Sequence, residues 1–225
     1  MGWWNNQAMA NVKQQLEAPF APSLGYPPEA YERRHFSENY GALNNFFLKV
    51  VFALGSLFGP KGGKFLNIPH GAFYSSIDQV AANTTTAYAV YLGNTTFSNG
   101  VSVTDNSRIT VAVDGVWNLQ FSLQIKNVSN DGQDFDIWVR KNGVNVDDSN
   151  SRFHVPARKS SGSPSHIVAA MNFFVDMVAG DYVEIVGCVT STDVSLEAYG
   201  TSTSPDRPAI PSAIATMTFV STLSS

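Results

Sequence analysis

The sequence predicts a mainly β protein: an antiparallel β-sandwich or jelly roll of about ten strands, preceded by an N-terminal extended arm and an apolar α-helix. Three observations predict it. From Ile68 onward the apolar residues recur at every second position, and Gly, Asn and Asp punctuate the runs. No helical pattern falls between those runs, which excludes alternating β and α units. Before Ile68 the period is three to four, and Pro19, Pro22, Pro27 and Pro28 stand in a row of their own.

The elements follow in order. Residues 17–28 are expected to be extended, because four prolines cannot share a helix. A helix is expected between Pro28 and Phe58, with proline at its start and Glu in its first turn. Leu43, Phe46, Phe47, Val50, Val51, Leu54, Leu57 and Phe58 mark its apolar face, and Gly59-Pro60 stops it. Strands are expected at 87–92, 100–104, 108–113, 115–128, 134–143, 151–157, 165–177, 181–190, 194–200 and 213–220. In "GVWNLQFSLQI" Trp117, Leu119, Phe121, Leu123 and Ile125 alternate with Asn118, Gln120, Ser122 and Gln124, the pattern of a half-buried strand. Trp117 and Trp138 are both expected on inward faces. The domain boundary falls at the change of period, giving an arm and helix at 1–67 and a sandwich at 68–225.

Composition narrows the function. Residues 1–67 carry six Lys/Arg against four Glu, and residues 68–225 carry eight against fourteen acidic residues. No basic cluster interleaves with aromatics, so nucleic acid is not an expected partner. The single cysteine, Cys188, excludes an intrachain disulfide framework and reads as a packed, inert thiol. The N-terminus lacks a charged segment followed by an apolar one, so no signal peptide is expected. The sequons at Asn83, Asn94 and Asn127 read as composition in an Asn- and Thr-rich chain.

Catalytic patterns are missing. His35, His70, His154 and His166 are scattered, with no HExxH, no paired Cys/His spacing and no GxSxG. "GPKGGK" at 59–64 has the composition of a phosphate loop without its spacing. Asp131, Asp134 and Asp136, with Asp147 and Asp148 nearby in sequence, are the one calcium candidate. A solvated turn leading into a strand accounts for them without a metal. No cofactor, metal or enzymatic activity is expected.

Four segments in order resemble the trimeric jelly-roll domain of the tumour-necrosis-factor and complement globular-head superfamily. They are "RITVAVDGVWNLQFSLQ", "IWVRKNGVNV", "VDMVAGDYVEI" and "AIPSAIATMTFV", and the resemblance covers about residues 72–220. "GPKGGKFLNIPHGAFYSSIDQ", "NTTTAYAVYLGNTTFSNGVSV" and "RPAIPSAI" are similar to virion structural proteins of tailed bacteriophages, notably those infecting marine cyanobacteria. The resemblance implies a homotrimeric decoration, fibre or knob module, assembled in the host cytoplasm and located on the virion. Residues 1–67 would join it to capsid or tail proteins. The alternative it allows is a tip that binds a host receptor or glycan.

"FFLKVVFALGSLFGP" is the most apolar run of the chain. A membrane span needs about 20 apolar residues, and Lys49 and Gly55-Ser56 interrupt this shorter run. A helix apolar over most of its circumference is expected to be buried on several sides. The eight residues of its main face are therefore the expected anchor, against sister copies or a neighbouring protein.

Overall fold

The computed structural model describes residues 21–24, 26, 29, 30, 32–58 and 68–222, and the chain divides into two units, Met1–Asn67 and Ile68–Ser225. The described part of the first contains one helix, α1 (Arg33–Phe58). The Glu32 carbonyl accepts from the Phe36 N–H at 3.3 Å, so Glu32 occupies the capping position. The expected start at Pro28 is thereby corrected: Glu29 and Ala30 form a bend and the helix opens later. No Ser, Thr, Asp or Asn lies at 27–32 to cap an earlier start. The helix ends at Phe58, immediately before Gly59-Pro60. Most of the expected extended arm lies outside the described residues.

The second unit is mainly β, and every strand pair in it is antiparallel. Its strands are β1 (His70–Ser75), β2 (Gln79–Val80), β3 (Tyr88–Ala89), β4 (Asn94–Asn99), β5 (Val101–Thr104), β6 (Arg108–Val111), β7 (Gly115–Asn127) and β8 (Gln133–Lys141). There follow β9 (Val144–Asn145), β10 (Ser151–Val155), β11 (Ser165–Met177), β12 (Tyr182–Val189), β13 (Val194–Leu196), β14 (Ser202–Thr203), β15 (Asp206–Arg207) and β16 (Ala213–Ser221). One sheet runs β2-β13-β7-β16-β1-β4, with β11 on the other edge of β7. The second runs β10-β8-β12-β6-β5, with β3 on β12 and β9 on β8. A two-stranded ladder, β14-β15, stands apart.

The period of two decides what is buried. Along β7, Trp117, Leu119, Phe121, Leu123 and Ile125 are all buried, as the alternation requires. They meet Phe135, Ile137 and Val139 of β8 and Val183, Ile185 and Val189 of β12 in one shared core, which makes the unit a β-sandwich. Trp138 corrects the expectation of an inward face. It shares its side of β8 with Asp134 and Asp136, is half-buried, and donates from Nε1 to Asn145 Oδ1 at 2.8 Å. Ile137 and Val139 hold the inward positions of β8, and Trp138 between them therefore falls on the other face.

Three segments depart from the expected strands. β1 presents Gly71, Phe73 and Ser75 inward, so only one apolar side chain marks its period. β4 is almost wholly polar, and its one large apolar residue, Phe97, is exposed. Of residues 87–92 only Tyr88 and Ala89 form a strand. Val90 and Leu92 are nonetheless buried, held by Val90 N–H to Ile185 O (2.8 Å) and Leu92 N–H to Asn106 O (2.6 Å).

Candidate functional site

The anchor residues expected from the sequence lie along α1 in two classes. Leu43, Phe46 and Val50 are half-buried, whereas Phe47, Val51 and Leu54 are exposed. Leu48 and Tyr40 are exposed as well, so apolar surface covers more than one side of the helix. The side chains of Leu57 and Phe58 lie outside the described residues. No described helix is long and apolar enough to cross a membrane.

A second apolar surface was not singled out by the sequence reading. β11 bonds β7 over thirteen consecutive residues without a register shift, and among the described residues its other edge has no strand beside it. Natural edges are usually shortened, bulged or guarded by Lys or Pro. β11 contains none of these, and its outward positions include Val168 (56% exposed) and Phe174 (66% exposed). Phe174 flanks Asn118, and Asn172 flanks Gln120, so this apolar edge continues into a polar strip on β7.

The calcium candidates are each otherwise engaged or apart. Asp134 Oδ1 lies 2.8 Å from His154 Nδ1. Asp136 accepts two bonds from Arg152, at 2.7 Å from Nε and 2.8 Å from Nη2, and the pairing raises the pKa of that guanidinium. Asp131 is exposed in the turn before β8. Asp147 and Asp148 fall in the turn after β9. Among the described residues no three His, Cys, Asp or Glu side chains gather as metal ligands. Cys188 is half-buried beside Asp136, and burial followed by that carboxylate pushes its thiol up, away from the nucleophilic form.

The structure also assembles a polar cluster that no local motif announces. Glu197, just after β13, accepts from Lys126 Nζ and from Tyr199 Oη. His166 Nδ1 lies 3.8 Å from its second oxygen. Burial alone would raise the Glu197 carboxyl. The Lys126 and Tyr199 hydrogen bonds, with the Lys126 and His166 charges, outweigh it and hold the group below its ordinary value. Tyr199 is pushed up to about 12, by burial first and then by its bond to Glu197. A carboxylate so fully partnered is a clamp rather than a general base.

That clamp holds one end of residues 198–211 against the first sheet. Tyr199 and Ile210 exchange main-chain bonds of 2.8 Å, Ala198 N–H donates to Asp78 Oδ1 at 2.8 Å, and Ser212 N–H donates to Ser75 O at 2.9 Å. Beneath the segment lies a cleft of about 740 Å³. No protein-family model matches the sequence, and no curated protein resembles it closely enough to count as a relative.

Proposed function

We propose that the chain is a structural module of a bacteriophage particle, a homotrimeric jelly roll held to capsid or tail proteins by residues 1–67. The observation that carries this reading is the uncovered apolar surface on both units. On α1 it is Tyr40, Phe47, Leu48, Val51 and Leu54; on the sandwich it is the open β11 edge with Val168 and Phe174. Surfaces of this kind on a folded chain mark protein contacts.

Strand order supports the jelly roll. Eight strands, β1, β6, β7, β8, β10, β11, β12 and β16, pair first with last (β1·β16), second with seventh (β6·β12), third with sixth (β7·β11) and fourth with fifth (β8·β10). Those are the pairings of one long hairpin. β7·β16 and β8·β12 then roll it into two sheets. The likeness of residues 72–220 to the trimeric jelly-roll superfamily, and of three further segments to tailed-phage virion proteins, supports the setting. An open edge that packs on a different face of the next copy generates a ring, and a ring of three uses every such edge.

Sedimentation of the full chain and of a Val168→Lys, Phe174→Lys variant tests the trimer. The wild type is expected to sediment as a trimer and the variant as a monomer; a monomeric wild type at micromolar concentration overturns the reading. Deleting residues 1–67 tests the anchor: particles should lose the protein while the deleted form stays soluble and trimeric. Undiminished incorporation sinks the anchor role.

A further inference from the structure

The cleft under residues 198–211 has the construction of a ligand site. Its floor is the outward side of β1 and β16, through Ala72, Tyr74 and Ile214, and its far wall is Ile210 and Pro211. The covering segment is tied down at both ends by the Asp78, Tyr199 and Ser212 bonds described above, so the cavity is formed before anything enters it. Pre-formed, mostly apolar clefts of a few hundred Å³ with a few convergent polar groups are the usual form of small-ligand sites.

Three polar side chains that line it, those of Tyr74, Asp78 and Thr96, have donor or acceptor capacity left over among the described residues. The register of β1 against β4 shifts between Ala72 and Phe73, opposite Phe97 and Thr95, which leaves Thr96 with no cross-strand residue. Bulges commonly re-aim a side chain in this way, and Thr96 lines the cleft. Its hydroxyl, the Tyr74 hydroxyl and Asp78 Oδ2 make no hydrogen bond to the described residues.

We infer that this cleft binds a neutral sugar ring of an oligosaccharide. A sugar ring has an apolar face, suited to Tyr74, Ile214 and Pro211, and a rim of hydroxyls that can meet Thr96, Tyr74 and the Asp78 carboxylate. A wholly apolar ligand would strand those three polar groups, each at a cost. An anion would face the Asp78 carboxylate. A cation would find a single carboxylate, with the Arg207 charge acting on the same Tyr199 ring as Asp78 does. The site lies within one copy of the chain, so it does not depend on the assembly reading.

The test is an array of neutral oligosaccharides probed with the full chain, followed by calorimetric titration of the best binder. Tyr74→Phe, Thr96→Val and Asp78→Asn each remove one polar contact with little change of shape, and Asn keeps an acceptor for Ala198 N–H. At least two of the three are expected to weaken binding about tenfold or more, with melting temperatures near that of the wild type. If Asp78→Asn unfolds, the two hydroxyl variants decide. The inference is overturned if no neutral glycan binds at millimolar concentration, if only acidic glycans bind, or if binding survives all three substitutions.

Discussion

Asn127 Nδ2, at the end of β7, donates to the carbonyls of Val155 at 3.2 Å and Pro156 at 2.9 Å, joining the first sheet to the end of β10 in the second. The same nitrogen reaches Asp131 O at 3.0 Å, and Asn127 Oδ1 accepts from Ser129 N–H at 2.8 Å. The residue is fully buried, so the sequon it heads cannot carry a glycan in the folded protein. Asn127→Ala orphans three acceptors and one donor together. It is expected to cost about 2–4 kcal/mol, read from urea unfolding by circular dichroism. A loss under about 1 kcal/mol would contradict this clasp.

Trp117 and Trp138 should respond very differently to truncation. Trp117 is fully buried and meets Phe219 edge-on with ring centroids 5.6 Å apart. Trp117→Ala is expected to cost about 3–5 kcal/mol. Trp138→Ala removes a half-buried ring and one hydrogen bond and should cost about 1 kcal/mol. Equal losses in chemical denaturation would count against the outward placement of Trp138.

Acid sensitivity should trace to Glu197. Its folded carboxyl lies below its ordinary value, so the unfolded chain takes up the proton first as pH falls. The stabilisation is therefore present above the unfolded carboxylate range and is lost as pH drops through the lowered folded value. A thermal-stability profile of Glu197→Gln should show a flatter acid limb than the wild type. At the alkaline end the sign reverses: Tyr199, pushed up to about 12, keeps its proton when the unfolded phenol has lost it, and stability declines between the two values. Ultraviolet titration should find one tyrosine ionising late, and Tyr199→Phe should remove it.

Gly187 in β12 is required by its neighbour. A Cβ there would stand 2.3 Å from Cε2 of Phe135, whose ring is buried in the core. Gly187→Ala is expected to destabilise by about 1–3 kcal/mol through overpacking. Adding Phe135→Leu should recover part of that loss in a double-mutant cycle; strict additivity would show that the ring is not the obstacle.

What could be read from the chain depended on whether one face of a segment carried the signal. β7 buries a regular apolar row and β11 buries or half-buries one, and the expected strand at 165–177 coincides with β11. β1 and β4 escaped because each sets a single apolar residue, Phe73 or Phe97, among Gly, Ser, Thr and Asn at its inward or paired positions, which leaves no period. Within α1 the apolar steps are legible but the start is not, since proline suggests a beginning that the missing cap does not support. The Glu197 clamp was illegible for a different reason. Lys126 and Glu197 lie 71 positions apart, and only sheet topology brings them together. Thr96 enters the cleft through a register shift, which composition does not encode.

The place of β16 in the first sheet also fixes when that sheet can form. β16 lies between β1 and β7, pairing Ser75 with Ala213 and Trp117 with Phe219. Until β16 has left the ribosome, β1 and β7 have no common neighbour and both face water with unpaired edges. The first sheet therefore closes only once residue 221 has emerged from the ribosome. Until then the nascent chain is at its most vulnerable to sticking to another copy of itself.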